Sequence, residues 1–168
     1  TVTATLSAVS GLNVTVDLLF TGTATDVMDY TRSGASIAIN AGAIEGSVTI
    51  TGVDDAVDES DETAIVDISG VTNGTEAGAQ QVTATITDDD AAPSVTLGIA
   101  GTPLAENGGV ATVTATLSAV SGQDVTVDLA FTGTATNVTD YTRSGTQIVI
   151  AAGNPNRSVT ITGVDDAL

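Results

Sequence analysis

An all-β fold, an antiparallel β-sandwich repeated in tandem, is predicted by three observations. Apolar residues alternate with period two almost continuously, helical spacing is absent, and short turn-forming segments separate the runs. Expected strands are Thr1–Leu6, Val14–Phe20, Ser36–Asn40, Gly46–Gly52, Thr63–Ser69, Gln81–Thr87 and Ser94–Ile99, then Val110–Leu117, Val125–Phe131, Gln147–Ala151 and Arg157–Gly163. In Val14–Phe20 the residues Val14, Val16, Leu18 and Phe20 share one face and are expected to point inward. Ser-Gly, Ala-Gly, Asn-Gly and Asp-Asp-Asp segments between the runs supply the positive φ angles and side-chain-to-backbone bonds that turns need. Seven short strands in about 100 residues is the sandwich pattern, with one apolar and one threonine-rich face on each sheet.

The repeat follows from self-similarity. Thr1–Val57 returns at Thr112–Leu168 with a constant offset of 112 − 1 = 111, and 43 of the 57 positions are identical. That period is the size of a domain, which predicts beads in tandem and not a stacked solenoid. The expected modules are residues 1–92, without a first strand, and 93–168, without the last two. The chain is expected to be an excerpt of a longer array. Its missing pieces would come from the flanking polypeptide or from a neighbouring molecule donating strands, and the first source is the one expected.

Composition narrows the chemistry. Hydrophobic residues make up 42% of the chain and aromatics 2%, so the core must be built from Val, Ile, Leu and Ala. Three cations, Arg32, Arg143 and Arg157, stand against 21 acids, giving 3 − 21 = −18. Nucleic-acid binding and attraction to an anionic membrane both need clustered Lys or Arg, and are excluded. No stretch approaches the roughly 20 apolar residues of a membrane span, so membrane insertion is not expected. Without His or Cys there is no imidazole base, thiolate, disulfide or usual zinc ligand. Catalysis is not expected either, because no nucleophile and base can be paired and sugar-binding aromatics are nearly absent. The absence of Cys together with abundant Thr, Gly and Asp suggests a secreted protein at the cell surface or outside the cell.

The carboxylates cluster at strand ends: Asp54-Asp55 leading into Asp58-Glu59-Ser60-Asp61-Glu62, Asp88-Asp89-Asp90 after Gln81–Thr87, and Asp165-Asp166. Two carboxylates about 4 Å apart repel by roughly 4 kcal/mol at an effective dielectric near 20. A hard cation is the natural counterion, and Ca²⁺ tolerates irregular oxygen cages where Mg²⁺ does not. The plainer alternative is a solvated run that keeps the protein soluble. No EF-hand loop occurs.

Asp29-Tyr30, Val53-Asp54-Asp55-Ala56-Val57-Asp58-Glu59-Ser60-Asp61-Glu62-Thr63 and Thr85-Ile86-Thr87-Asp88-Asp89-Asp90 resemble, in order and spacing, the Calx-beta domain of sodium–calcium exchangers and bacterial surface proteins. Pro93-Ser94-Val95-Thr96-Leu97, Glu106-Asn107-Gly108-Gly109 and the run before Asp140-Tyr141 continue the likeness into a second module. The resemblance implies a seven-stranded immunoglobulin-like sandwich that binds Ca²⁺ at one tip. Carried over residue by residue, it implies Asp29, Asp54, Asp55, Glu59, Glu62, Asp88, Asp89 and Asp90 as ligands in the first module. In the second it implies Glu106, Asp140, Asp165 and Asp166.

The remaining residues read structurally. Tyr30 and Tyr141 are expected as packed rings, Phe20 and Phe131 as core, and Arg32 and Arg143 as local partners of carboxylates. The expected role is that of a calcium-binding structural repeat of a filament, adhesin or surface protein, with Ca²⁺ stiffening module tips and junctions. Its partners would be neighbouring repeats or copies in a fibre, with a cell-surface or glycan target. The alternatives are a regulatory calcium sensor and a threonine-rich face that binds ice or sugar.

Overall fold

The computed structural model describes residues 1–165 and divides into two compact units. Unit 1 comprises Thr1–Asp55 and Asp61–Asp88; unit 2 comprises Ala56–Ser60 and the chain from Asp89 onward. All regular elements among the described residues are strands, and every strand pair is antiparallel.

Unit 1 holds β1 (Val2–Thr5), β2 (Val14–Gly22), β3 (Tyr30–Arg32), β4 (Ser36–Ile39), β5 (Glu45–Val48), β6 (Ile50–Gly52), β7 (Glu62–Thr72) and β8 (Gln81–Ile86). One sheet runs β4-β2-β7-β8, while β1 pairs with β5 and β3 with β6. The register of β2 on β4 sets Val14 opposite Ile39 and Val16 opposite Ile37. With Val48 these four form the buried core, so the period-two alternation of β2 is what aligns the apolar face. A one-residue irregularity between Asp17 and Leu18 shifts the pairing of β2 with β7, and beyond it Leu18 and Phe20 are only half-buried.

Two features depart from the expected strands. Gly46–Gly52 is interrupted at Thr49, where Ser33 Oγ accepts a 2.9 Å hydrogen bond from Thr49 N and Ser33 N donates to Thr49 O at 3.0 Å. The three-residue β3 that pairs beyond this break is too short to show a period in the sequence.

Unit 2 holds β9 (Val95–Ala100), β10 (Val110–Leu117), β11 (Val125–Asp128), β12 (Tyr141–Arg143), β13 (Gln147–Ile150) and β14 (Asn156–Gly163). Its sheets are β12-β14-β10-β9 and β11-β13. Ala115, Leu117, Ile148 and Ile150 form its core, packed with the partly buried Val125, Val127, Leu129 and Val159. Ile37 and Ile148, one repeat apart, are each 1% exposed, so the two units are built on the same buried positions.

Candidate metal centre

In unit 1 the acidic residues reach one end through backbone ties. Asp29 sits just before β3, and its carbonyl accepts a 2.9 Å hydrogen bond from Val53 N, which sets it beside Asp54 and Asp55. Its carboxylate also takes a hydrogen bond from Thr25 N and so closes its own loop. Within that loop Val27 has φ 78° and donates from N to Tyr30 O at 2.7 Å, a conformation rare for a β-branched residue and held by the bonds on either side. Ala24 N donates to Thr63 O at 3.0 Å, tying the same loop to the start of β7, where Glu62 lies. Asp61 Oδ1 accepts from Asp88 N at 3.1 Å, which draws the exit of β8 toward the entry of β7. The register of Glu62 opposite Ile86 places both at that end.

Unit 2 repeats the arrangement with its own residues. Asp140 O accepts from Val164 N at 3.0 Å, next to Asp165, and the Asp140 carboxylate takes a hydrogen bond from Thr136 N. Val138 again has φ 78°. The Glu106 loop is folded by Gly109 N donating to Ala105 O and docked by Gly163 N donating to Gly109 O, each at 2.9 Å. A Cβ on Gly163 would stand 2.3 Å from Ala105 O, so only glycine allows this approach. Glu106 and Asp140 consequently line one open cleft of about 490 Å³, together with Phe131 and Tyr141.

The sequence-derived ligand sets are therefore partly gathered. Asp29, Asp54, Asp55, Glu62 and Asp88 lie in unit 1, and Glu106, Asp140 and Asp165 in unit 2. Glu59, Asp89 and Asp90, assigned to the first module from sequence, fold with unit 2. Asp166 lies outside the described residues. Among the described residues no three acidic groups converge into a finished metal cage. The donor set itself, carboxylate and backbone carbonyl oxygens without nitrogen or sulfur, fits a hard cation of the Ca²⁺ type. Sequence reasoning left Asp58 and Asp61 out of the ligand sets, although both stand in the acidic run it singled out; Asp61 contacts Asp88, and Asp58 is bonded to Ser121 within unit 2.

The side chains read as structural behave largely so. Tyr30 is buried and lies 6.4 Å from the half-buried Phe20 ring, centroid to centroid. Arg32 covers Phe20 at 4.4 Å and pairs with Asp26 at 2.9 Å. Arg143 covers Phe131 at 4.7 Å, and the residue matching Asp26 is Asn137, which carries no charge for it.

The model of the Calx-beta domain family matches residues 2–90 and again residues 88–168. No curated protein matches the chain. Among solved structures, the crystal structure of CBD12 from CALX1.2 is similar over 98% of this chain and 68% of that one, at 18% identity and a TM-score of 0.45. The expectation of a secreted, extracellular or cell-surface location is corrected here. The Calx-beta family match does not carry a secreted location. The composition behind that expectation, a chain without Cys and rich in Thr, suits a reducing compartment equally well.

Proposed function

The chain belongs to the Calx-beta domain family, whose members bind Ca²⁺, and on that premise we propose that its two units are calcium-binding structural modules whose ions stiffen their acidic ends. Unit 1 would hold the ion with Asp29, Asp54, Asp55, Glu62 and Asp88, and unit 2 with Glu106, Asp140 and Asp165. The observation that supports this reading is one tie made twice: Val53 N to Asp29 O, and Val164 N to Asp140 O. The same bond sets an acidic loop carrying a strained valine against a second acidic segment in each unit.

Bound Ca²⁺ would supply the positive charge that these ends lack. Each pair of carboxylates about 4 Å apart that it neutralises relieves roughly 4 kcal/mol of repulsion at an effective dielectric near 20. The oxygen ligands would then hold their loops in one geometry, and removing the ion would loosen them. Neighbouring repeats are the natural partners of such modules. Near-identity of the two copies favours a spacer whose stiffness depends on calcium, since extension benefits from repetition. A regulatory sensor would use the same ion-dependent stiffening and differ only in the element that responds.

Calorimetric titration with Ca²⁺, and with Mg²⁺ as comparison, tests the proposal. Saturable Ca²⁺ binding that weakens in Asp55→Ala and in Asp140→Ala is expected. Heat changes indistinguishable from dilution would overturn it.

A further inference from the structure

We propose that the hydroxyl of Thr23 is a positioning group for the calcium end of unit 1, fixing the loop that carries Asp29 against the strand entry that carries Glu62. The inference rests on the calcium reading above and adds to it a residue that is not itself an ion ligand. The ladder between β2 and β7 ends at Gly22 opposite Ala64. One residue further along, Thr23 Oγ1 accepts from Thr63 N at 2.9 Å, and Ala24 N donates to Thr63 O at 3.0 Å. Both main-chain polar groups of Thr63 are thus held by the start of the loop, and Thr63 is the residue that follows Glu62. The approach is close: a Cβ on Gly22 would lie 2.1 Å from Thr63 O, so a bare backbone at position 22 is what lets the strand end close down on Thr63.

The loop is braced internally. Asp29 N donates to Thr25 O at 2.9 Å, the Asp29 carboxylate accepts from Thr25 N, and Val27 N donates to Tyr30 O at 2.7 Å. Its orientation is therefore set by its ties outward, and two of these reach acidic segments: Val53 N to Asp29 O, and the pair of bonds at Thr63. The first uses main-chain atoms alone and is indifferent to the residues that make it. The second needs a side chain, so position 23 is where the sequence decides how Asp29 stands relative to Glu62. An ion that takes oxygens from both binds more tightly when their separation is fixed before it arrives.

Thr23 is exposed, so water can replace its hydroxyl at the Thr63 N–H. Such a water satisfies the amide without linking it to the loop. Loss of the hydroxyl should accordingly spare the fold and fall on the ion. Groups that orient metal ligands without touching the metal cost about 10–100-fold in affinity when removed.

Calorimetric titration with Ca²⁺ of the whole chain in an Asp140→Ala background, which silences unit 2, isolates the unit 1 site. Thr23→Val keeps the β-branched shape, loses the hydroxyl, and should weaken binding about 10–100-fold. Thr23→Ser keeps the hydroxyl and should bind as its parent does. The melting temperature in excess chelator should be the same for all three, which a hydroxyl needed only for the fold would not allow. Thr23→Val binding as tightly as its parent, Thr23→Ser losing as much as Thr23→Val, or a chelated melt lowered in Thr23→Val alone would each overturn this inference and leave the calcium reading standing. An unsubstituted chain that takes up no Ca²⁺ would overturn both. Exchange of the Thr63 amide in the unsubstituted chain decides the matter if Thr23→Val fails to fold: Ca²⁺ should slow it, and an unchanged rate sinks the proposal.

Discussion

Ser121 Oγ donates a 2.7 Å hydrogen bond to Asp58 Oδ2 inside unit 2, and Ser121 is only 1% exposed. The same hydroxyl accepts from Gln123 N at 3.0 Å, and Gly122 N donates to Asp58 O at 2.9 Å. Asp58 thus serves as a structural acceptor, which separates it from the acidic residues proposed to hold an ion. Ser10, one repeat earlier, accepts from Leu12 N at 3.0 Å in a less buried setting.

That contrast predicts unequal costs for one substitution at two copies of one residue. Ser121→Ala strands the Gln123 N–H and breaks a bond to a charged acceptor, and should cost about 1–3 kcal/mol. Ser10→Ala, where water can replace the hydroxyl, should cost less than about 1 kcal/mol. Urea denaturation of each variant gives the comparison, and equal midpoints would contradict the assignment.

Calcium should act on stability through mass action. At an ion concentration 100 times the dissociation constant, each site adds about 2.7 kcal/mol to the folded form. Melting temperature should accordingly rise with Ca²⁺ and fall in chelator. Asp55→Ala should lose much of that rise with little change in the chelated melt, because Asp55 is exposed and outside the strands. Ile37→Ala should instead cost about 2–5 kcal/mol with or without the ion, since it empties a fully buried position.

How far the sequence could be read depended on signal length. β2 and β7 are nine and eleven residues long, enough for the alternation of Val14, Val16 and Leu18 or of Ala64 and Val66 to stand out. β3 and β12, at three residues each, carry no period and are set by Ser33 and Ser144 bonding to Thr49 and Thr160 across a strand. The acidic ends were legible as charge runs. Which acidic segments lie side by side was not, because Asp29 is tied to the residue before Asp54 by a main-chain bond to Val53 that any residue at position 29 could make. The folding of Ala56–Ser60 with unit 2 likewise depends on the burial of Ser121, a property of packing and not of the residue itself.

Glycine substitutions at the end of β2 and at its repeat position in unit 2 should separate two costs. Gly22 and Gly133 are repeat copies with φ of 118° and 129°. A Cβ on Gly22 would lie 2.1 Å from Thr63 O, while one on Gly133 meets nothing within 4 Å. Gly133→Ala should therefore show the backbone strain alone, about 1–3 kcal/mol. Gly22→Ala adds displacement of the Thr63 carbonyl, which itself accepts from Ala24 N at 3.0 Å, and should be clearly the more destabilising in thermal melts.

Arg32 and Arg143 offer an internal control for the ion pair beside the acidic end. Both guanidinium groups cover a phenylalanine, but among the described residues only Arg32 also meets a carboxylate, Asp26 at 2.9 Å with both side chains about a third exposed. Asp26→Asn recreates the residue found at position 137, and at this exposure should cost at most about 1 kcal/mol. The loss should shrink in 1 M NaCl, where the screening length is about 3 Å. Arg32→Ala removes the contact with Phe20 as well, worth about 0.5–1 kcal/mol at an exposed site, and that part should persist in salt. In the Asp26→Asn background, Arg32→Ala should then cost about what Arg143→Ala costs in the unsubstituted chain. A double-mutant cycle at two salt concentrations measures each part. If the Asp26–Arg32 coupling did not depend on salt, the bond would be shielded from solvent, contrary to the exposure of both partners.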